Sequence, residues 1–325
     1  MLAYILRRLF YAVPILLGVN LITFALFFVV NTPDDMARMQ LGVKRVTPEA
    51  IAKWKAERGY DKPLLWNEAA AGGGRFTETV FFAKSVRMFA FDFGRADDGR
   101  DIAAEIRQRM GPSLAVALPV FLLGLWVTIS FALMLVFFRA TYLDLAGTVL
   151  CVAMMSISGL FYIIGGQWLI SKIWHLAPIS GYGQGLDTAR FLVLPVIVSV
   201  IGGIGSGTRW YRTLFLEEAG RDYVRTARAK GLTETAVLFG HVLRNALIPI
   251  LTGVVVLIPS LFMGSLLVES FFGIPGLGSY TIEAINAQDF AVVRAMVFIG
   301  AGLYILGLLL TDLSYTLVDP RVRLS

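Results

Sequence analysis

The chain has 325 residues, of which 57% are hydrophobic and only 16% are charged. A soluble domain carries roughly 45–50% apolar and about 25% charged residues, so this composition excludes an ordinary soluble protein. Together with the mean hydropathy of +0.71, it predicts a membrane protein. The single cysteine, Cys151, excludes an intrachain disulfide, and two histidines far apart in sequence, His175 and His241, indicate no metal site.

Six stretches without Asp, Glu, Lys or Arg predict an all-α membrane protein with six transmembrane helices. A helix needs about 20 apolar residues to cross a hydrocarbon core of roughly 30 Å. The stretches are residues 9–30, 110–138, 145–171, 191–208, 245–268 and 295–311, the last continuing past Asp312 to residue 318. The first is too long for a signal-peptide core and lacks a small-residue cleavage site, so we expect a retained anchor helix.

The distribution of basic residues predicts the orientation, because Lys and Arg concentrate in cytoplasmic loops. With the N-terminus inside, the cytoplasmic side holds twelve of them: Arg7, Arg8, Arg139, Arg321, Arg323 and seven between residues 209 and 244. The short outer loops hold three, Lys172, Arg190 and Arg294. Both termini are therefore expected in the cytoplasm.

The long loop over residues 31–109 is then extracytoplasmic. Residues 47–57 predict a short helix with Thr47 as its N-cap. Residues 101–109 predict a second helix that lies along the membrane surface. A loop of this length has a function more often than not, but the sequence leaves open whether it is only a solvated connection.

The segment between the fourth and fifth predicted spans, residues 209–244, carries seven basic residues. Residues 217–230 favour a helix. Three arginines share one face of it, Arg221, Arg225 and Arg228. Gly231 suits the left-handed position that ends a helix. Thr233 then caps a second helix over residues 234–243, which runs toward the fifth span.

Two interpretations of this short helix are compatible with its composition. Held between two spans, it can present a compact knob to a soluble partner, and the small side chains of Ala227 and Ala229 would allow a close approach. Alternatively, its basic residues bind anionic lipid headgroups at the membrane surface.

The spacing of three residues, Ala227, Gly231 and Leu243, matches a motif of type I ABC importer permeases. That motif reads Glu-Ala-Ala, three residues, Gly, nine residues, then Ile-x-Leu-Pro. Four positions depart from it, namely Arg225, Thr226, His241 and Arg244. These departures resemble the dipeptide/oligopeptide/nickel branch of the family. Similar to that branch are also DYVRTARAKGL (222–232), LRNALIP (243–249), YILRRLFYAVPILLG (4–18), ESFFGIPGLG (269–278), DFAVV (289–293) and DPR (319–321).

The resemblance implies a transport subunit rather than an enzyme. The short helix would dock on a separate ATPase, and the residues implied in this coupling are Arg221, Asp222, Tyr223, Arg225, Thr226, Ala227, Arg228, Ala229, Lys230, Gly231 and Leu232. A segment at the outer mouth would gate the pore or contact a binding protein, through Glu269, Gly273, Ile274, Pro275, Gly276, Leu277 and Gly278. Because no G-x-x-x-x-G-K-[ST] motif is present, ATP and magnesium are expected only in partner subunits, and no cofactor, metal or catalytic residue in this chain.

The implied partners are a second, homologous permease, two ATPase subunits or domains, an extracytoplasmic solute-binding protein and membrane lipid, with no nucleic acid. The implied location is a bacterial inner membrane. The chain then divides into an anchor helix (1–30), an extracytoplasmic region (31–109), a permease core (110–318) and a cytoplasmic tail (319–325). Peptides are the first candidate solute, while nickel, glutathione and other small solutes stay open.

Two other functions are weighed against this one. An ion-coupled secondary transporter needs ionisable residues near the middle of its spans, and the six stretches contain none. An intramembrane hydrolase could use Ser206, but both histidines lie in predicted loops, so no base is placed to activate it.

Overall fold

The computed structural model describes residues 2–42, 46–183, 185 and 187–318. This part of the chain is helical, and within it the only β-type pairing is one isolated bridge between Arg95 and Asp101. The expected all-helical class is confirmed. The tail over residues 319–325, with its DPR sequence and two of the arginines counted on the cytoplasmic side, lies outside the described residues.

Fifteen α-helices occur among the described residues. They are α1 (Leu2–Ala25), α2 (Pro33–Leu41), α3 (Pro48–Arg58), α4 (Gly74–Thr77), α5 (Val80–Lys84), α6 (Ile102–Phe137), α7 (Tyr142–Ser156), α8 (Gly159–Gly166), α9 (Asp187–Ala219), α10 (Asp222–Ala229), α11 (Glu234–Val237), α12 (Arg244–Leu257), α13 (Leu266–Phe272), α14 (Leu277–Ala287) and α15 (Phe290–Val318). Further turns of π-helix follow α1, α8 and α11 over Leu26–Val30, Gln167–Ile173 and Leu238–Leu243, and 3-10 turns cover Val86–Ala90 and Pro259–Met263.

Five helical stretches among the described residues are long and apolar enough to cross a membrane. They are Phe10–Val30, Ile102–Phe137, Asp187–Ala219, Glu234–Met263 and Phe290–Ser314. A sixth is formed by α7 together with α8 and its π-helical turn, but it is bent by 90°. Since a helix rises 1.5 Å per residue, the 33 residues of α9 extend for about 50 Å, well beyond a hydrocarbon core of roughly 30 Å.

The bend shows that the prediction of one helix over residues 145–171 is wrong. Ile157 has an extended backbone, with φ −89° and ψ 128°, and Ser158 is the N-cap of α8. The local sequence Ser-Ile-Ser-Gly combines the small residues at which sharp kinks are common. The Met154 carbonyl near the end of α7 accepts from the Ile157 N–H at 3.3 Å and from the Tyr162 hydroxyl of α8 at 2.8 Å, so one acceptor holds both sides of the bend.

Two other predicted boundaries are also wrong. Residues 101–109 do not form a separate surface helix, because α6 starts at Ile102 and runs without interruption to Phe137. The fifth predicted span ends early, at Met263, because Gly264 has φ +67° and α13 begins after it as a new helix.

The described chain forms two compact units, one of residues up to Arg109 with Tyr280–Leu306, the other of Met110–Ser279 with residues from Gly307 onward. In the first unit, the predicted helix over 47–57 is confirmed as α3, and the Thr47 hydroxyl accepts a hydrogen bond from the Ala50 N–H at 3.3 Å. The unit packs around a mainly aromatic core of Phe24, Phe28, Met36, Ala37, Ile51, Trp54, Tyr60 and Val80. Residues 31–109 thus contribute to a packed structure.

In the second unit, α9 packs against both α7 and α8. Small residues allow the close approach, since a Cβ added to Gly205 would lie 2.6 Å from the Cys151 carbonyl oxygen. Arg212 of α9 forms a bidentate ion pair with Asp144 of α7, with Nε and Nη2 at 3.0 and 2.8 Å from Oδ1. This pair ties the two helices together by charge as well as by packing.

Candidate functional site

The short helix predicted between the fourth and fifth spans exists as α10, but its limits differ from the prediction. The predicted helix over 217–230 is interrupted, because α9 runs to Ala219 and the chain turns at Gly220 and Arg221 before α10 starts. Gly231 has φ +78°, which confirms the left-handed helix end. The Thr233 hydroxyl accepts from the Ala236 N–H at 3.4 Å, which confirms the cap of the next helix. Hereafter residues 220–233 are called the coupling segment.

One face of α10 is fixed to the rest of the second unit. Val224 is fully buried and Ala227 nearly so. They join a core cluster with residues of α9 and of the helix that follows the coupling segment, among them Tyr211, Phe215, Ala219, Val237, Leu238 and Val242. Ala227 therefore points inward and is not available for the close approach of a partner, which differs from the expectation.

Two arginines beside this buried face are exposed, Arg221 at the N-cap of α10 and Arg225 one turn further on. The side chains of Arg221 and Arg225 are 65% and 73% exposed, and each lies near one acidic residue, at 3.8 Å from Glu218 and 3.5 Å from Asp222. Such exposed pairs contribute only about 0–1 kcal/mol. The guanidinium groups therefore remain accessible to a partner at little energetic cost.

Two further contacts fix the ends of α10. Arg228 donates from Nε and Nη2 to the two carboxylate oxygens of Glu234, at 3.1 and 2.6 Å, so it bridges α10 and α11 across the Gly231 turn. At the other end, the Tyr223 hydroxyl donates to the Glu218 carboxylate. Burial, followed by that hydrogen bond, raises the pKa of Tyr223 to about 12, so the hydroxyl stays a donor at neutral pH.

The second candidate site, residues 269–278, is organised around a buried carboxylate. Glu269 of α13 is completely inaccessible to solvent. Its Oε2 accepts from the N–H groups of Gly278 and Ser279 at 2.7 and 3.1 Å, and its Oε1 accepts from Ser265 N–H at 3.2 Å. Gly273 ends α13 with φ +64°, and the chain is irregular until α14 begins at Leu277. The carboxylate thus satisfies backbone donors on both sides of this turn.

Three glycines make room for the Glu269 carboxylate. A Cβ at Gly264 or Gly276 would overlap a carboxylate oxygen, and a Cβ at Gly278 would lie 2.6 Å from the Ser265 carbonyl. The hydroxyl of Ser113 accepts from the Leu277 N–H at 2.8 Å. Ser113 and the three glycines together enclose the Glu269 carboxylate and are called the carboxylate cradle. A substitution at any of these glycines must displace either the carboxylate or the backbone that it holds.

Most of this segment is unavailable to a partner. Ile274, Gly276, Leu277 and Gly278 are buried, as is Glu269 itself. Of the residues predicted for this site, only Gly273 and Pro275 are exposed, together with Ser270 and Phe271 between Glu269 and the turn. The expected irregular backbone is confirmed for residues 273–276, whereas Leu277 and Gly278 belong to α14.

The sequence does not predict the cavity that lies beside Glu269. It has a volume of about 530 Å³ and lies within the second unit. Residues of α6, α8, α9 and the stretch 260–269 line it, and Glu269 contributes to one wall. The serine and tyrosine residues that line the cavity come from four separate stretches of sequence and have no regular spacing. No sequence pattern therefore predicted them. The Asp144–Arg212 pair was missed for the same reason, because 68 residues separate its members.

Comparison with known proteins identifies the family. Residues 109–324 match the family described as "binding-protein-dependent transport system inner membrane component", and residues 1–87 match the N-terminal part described for the same membrane components. Together these matches cover the permease core and most of the first unit's N-terminal stretch.

Full-length relatives agree with this result. The chain is 30% identical over 351 aligned residues to the dipeptide transport system permease protein DppB of Escherichia coli K12. It is 31% identical to a putative peptide transport system permease protein of Brucella abortus (strain 2308) and 31% identical to the di/tripeptide transport system permease protein DppB of Pseudomonas aeruginosa UCBPP-PA14. In each case 99% of both chains is covered. The resemblance drawn from the sequence motifs is confirmed: the chain belongs to the family of binding-protein-dependent transport system inner membrane components, the membrane permeases of ABC transporters.

Proposed function

We propose that this chain is one half-pore of an ATP-driven importer that carries peptides, or a small solute related to them, across a bacterial inner membrane. The relatives described above are peptide permeases by name, which favours peptides over nickel or glutathione. Membership of a binding-protein-dependent family implies an ATPase and a solute-binding protein as partners. A second, similar permease completes the pore, and the two ATPase subunits or domains bind ATP and magnesium.

The observation that carries this proposal is the geometry of α10. Its inner face is held by Val224 and Ala227 in the core, while Arg221 and Arg225 beside that face are exposed to solvent. A helix anchored on one side can transmit a push from a soluble partner into α9, because both pack in the same cluster. A helix that binds lipid headgroups needs only the exposed basic residues. A coupling helix also needs a buried side that anchors it to the rest of the permease.

The membrane arrangement that we propose counts α7 and α8 as one bent span, which gives six spans with both termini in the cytoplasm. The coupling segment then lies in the cytoplasm and residues 31–109 outside. Residues 1–30 serve as anchor, 110–318 as the permease core with its coupling loop over 209–244, and 319–325 as a cytoplasmic tail. The exposed residues of the Glu269 turn, Gly273 and Pro275, face the outer mouth and are its points of contact with a binding protein.

Purification of the tagged chain from its own cells tests the proposal. We expect an ATPase and a second permease to co-purify, and Arg225→Glu to reduce the amount of ATPase recovered. Arg225 is highly exposed, so its substitution leaves the core intact. Arg87→Glu is the matched control, since Arg87 is also an exposed arginine paired with one acidic residue but belongs to the other unit.

The purified chain alone in liposomes provides the second test. It should neither hydrolyse ATP nor take up peptides, because the ATPase is a separate subunit. Strong uptake by the lone chain driven by an ion gradient would contradict the proposal and favour the secondary transporter. Equal recovery of the ATPase with Arg225→Glu and with Arg87→Glu would contradict the role given to α10.

A further inference from the structure

A second pocket, with a volume of about 430 Å³, lies at the end of the bent span formed by α7 and α8, within the second unit. The π-helical turn after α8 ends at Ile173, and residues between 171 and 179 form most of the wall of this pocket. Arg190, in the first turn of α9, supplies the remaining lining residue. In the membrane arrangement proposed above, this basic pocket lies at the outer surface.

Three basic side chains line the basic pocket, Lys172, His175 and Arg190. All three residues are exposed, and none forms an ion pair with an acidic residue in the part of the chain that the structure describes. Basic residues are uncommon in short outer loops, and Lys172 and Arg190 are two of the three that the sequence places there. The basic pocket therefore gathers most of the positive charge of these loops.

A buried hydroxyl in the same wall lacks a partner. Ser171 is only 9% exposed and lines the basic pocket, and its Oγ makes no hydrogen bond with any described residue. Buried polar groups in native proteins are nearly always hydrogen-bonded, so an unpartnered one marks a place where a ligand can bind. A phosphate group suits this place, because its oxygens accept hydrogen bonds from hydroxyls and form charge-assisted bonds with Lys and Arg.

An apolar groove with a volume of about 360 Å³ lies beside α8 and α9, nearer the membrane centre. None of the described residues that line it is charged, and its one hydroxyl, that of Tyr162, already donates to the Met154 carbonyl. On α9 the groove reaches Val198, whereas the basic pocket reaches Arg190. Since a helix rises 1.5 Å per residue, about 12 Å separate these two residues along the axis. A ligand that occupies both places has an anionic head and an apolar tail.

We propose that the basic pocket binds the phosphate of an anionic phospholipid of the outer leaflet and that the apolar groove holds an acyl chain of the same molecule. Trp168 and Trp174 support this occupant, since both are more than half exposed and tryptophan concentrates at the boundary between lipid and water. Leu176 and Ile179, which line the basic pocket, are also exposed. An acidic side chain of a soluble protein would leave these apolar surfaces uncovered, whereas a lipid covers them.

Native mass spectrometry of the transporter purified through the tagged chain tests this inference. Dioleoyl phosphatidylglycerol is the anionic probe, and dioleoyl phosphatidylcholine is a zwitterionic lipid with the same chains. Glycerophosphoglycerol and inorganic phosphate carry the anionic group without acyl chains. We expect the first phosphatidylglycerol to bind at least about tenfold more tightly than phosphatidylcholine and at least about a hundredfold more tightly than either chain-free anion.

Neutralising the two permanent charges should weaken phosphatidylglycerol binding. For Lys172→Gln/Arg190→Gln we expect a loss of about thirtyfold, the combined contribution of two basic residues at an anionic membrane surface. Lys53→Gln/Arg87→Gln is the matched control, because it removes the same two residue types from exposed positions of the first unit. This control should stay within about twofold. Lys172→Arg/Arg190→Lys keeps both charges and should keep most of the affinity, which a folding defect would not allow.

Two glycines supply a separate test of the apolar groove. Gly165 lines it, and a Cβ added there has no neighbour within 4 Å. Gly203 of α9 has equally open space but does not line the groove. Gly165→Leu should therefore weaken phosphatidylglycerol binding at least about tenfold, the effect of an unaccommodated methylene in an apolar pocket. Gly203→Leu should stay within about twofold.

Four results would overturn the inference. One is equal phosphatidylglycerol affinity in the two glutamine double variants. Another is binding of either chain-free anion as tight as that of phosphatidylglycerol, which would make the pocket a site for soluble anions. The third is loss of the solute-binding protein from Lys172→Gln/Arg190→Gln with unchanged lipid affinity, which would make it a protein contact. The fourth is loss of the second permease from purified Gly165→Leu, which would make the groove a subunit interface.

The inference and the proposed function fail separately. If no ATPase or second permease co-purifies, the proposed function fails, whereas lipid binding can still be measured on the full chain by itself. If the partners co-purify but the charge variant binds phosphatidylglycerol as its control does, only the lipid site is wrong.

Discussion

Arg228 and Glu234 form a two-bond ion pair across the left-handed turn at Gly231, with donor–acceptor distances of 2.6 and 3.1 Å. The pair joins the end of α10 to the start of α11, and both side chains are less than half exposed. The direction of α10 relative to the following span therefore depends on two features, the backbone conformation of one glycine and the charges on each side of it.

Exchanging the two charges tests whether the pair positions α10 or whether Arg228 contacts a partner directly. Arg228→Glu should lower transport-stimulated ATPase activity about two- to fivefold, since exposed pairs contribute roughly 0.2–1 kcal/mol. The double variant Arg228→Glu/Glu234→Arg should recover most of the activity. If the double variant is no better than the single one, the positioning role is wrong.

Gly231→Val should leave the protein in the membrane and reduce transport below about one tenth. Strained backbone conformations cost of order 1–3 kcal/mol, and a β-branched residue at φ +78° is among the worst cases. Gly231→Asn is the control, because asparagine tolerates left-handed backbone and no neighbouring atom restricts its Cβ. Uptake assays with immunoblots of membranes measure both quantities, and equal uptake by the two variants would contradict the prediction.

Gly276→Ala should destabilise the second unit by about 1–3 kcal/mol, the usual cost of overpacking. The new methyl group would overlap Oε2 of Glu269 and lie 2.5 Å from the Ser113 hydroxyl. Thermal unfolding in detergent measures the effect. Gly124→Ala, within α6 of the same unit and with open space around it, should change the midpoint by little. Similar midpoints for both variants would show that the carboxylate cradle is not rigid.

The first unit should become less stable as pH rises from mildly acidic values. Burial raises the pKa of Asp289 above its ordinary value of 3.8, against hydrogen bonds from the N–H groups of Asp97 and Val292. A carboxyl group whose pKa is higher in the folded state favours folding when protonated, so this contribution is full below 3.8 and is lost as pH passes the raised value. Asp289→Asn should flatten the dependence, measured by unfolding at several pH values, whereas Asp92→Asn, at an exposed carboxylate, should not.

Cysteine labelling tests the orientation. In a Cys151→Ala background, Thr233→Cys should react with an impermeant maleimide only after the cells are opened. Glu68→Cys, at an exposed position of residues 31–109, should react in intact cells. Labelling of the Thr233→Cys variant from outside would invert the topology inferred from the basic residues.

The sequence predicts the helices well where local chemistry decides their ends. Thr47, Thr233 and Gly231 occupy the cap and turn positions that their types favour, because those interactions involve neighbours in the chain. The prediction fails where contacts between residues far apart in the sequence determine which side chains are buried. Ala227 looks like a surface residue of a basic helix and is buried only because α9 and the helix after the turn enclose it.

The same distinction applies to the candidate sites. The glycine-rich stretch 273–278 signals an irregular backbone, and the structure has one. The reason for its glycines is the Glu269 carboxylate, which also contacts Ser113 of a helix more than 150 residues away in sequence. Such a contact leaves no periodic pattern, so neither the cradle nor the adjoining cavity could be predicted.

The bend between α7 and α8 has a consequence for how the protein enters the membrane. Each half has 15 residues, so each extends for only about 22 Å and is too short to cross a hydrocarbon core of roughly 30 Å by itself. Both halves pack against α9, which the ribosome makes after them. During synthesis, α7 and α8 therefore lack their packing partner until α9 has been translated.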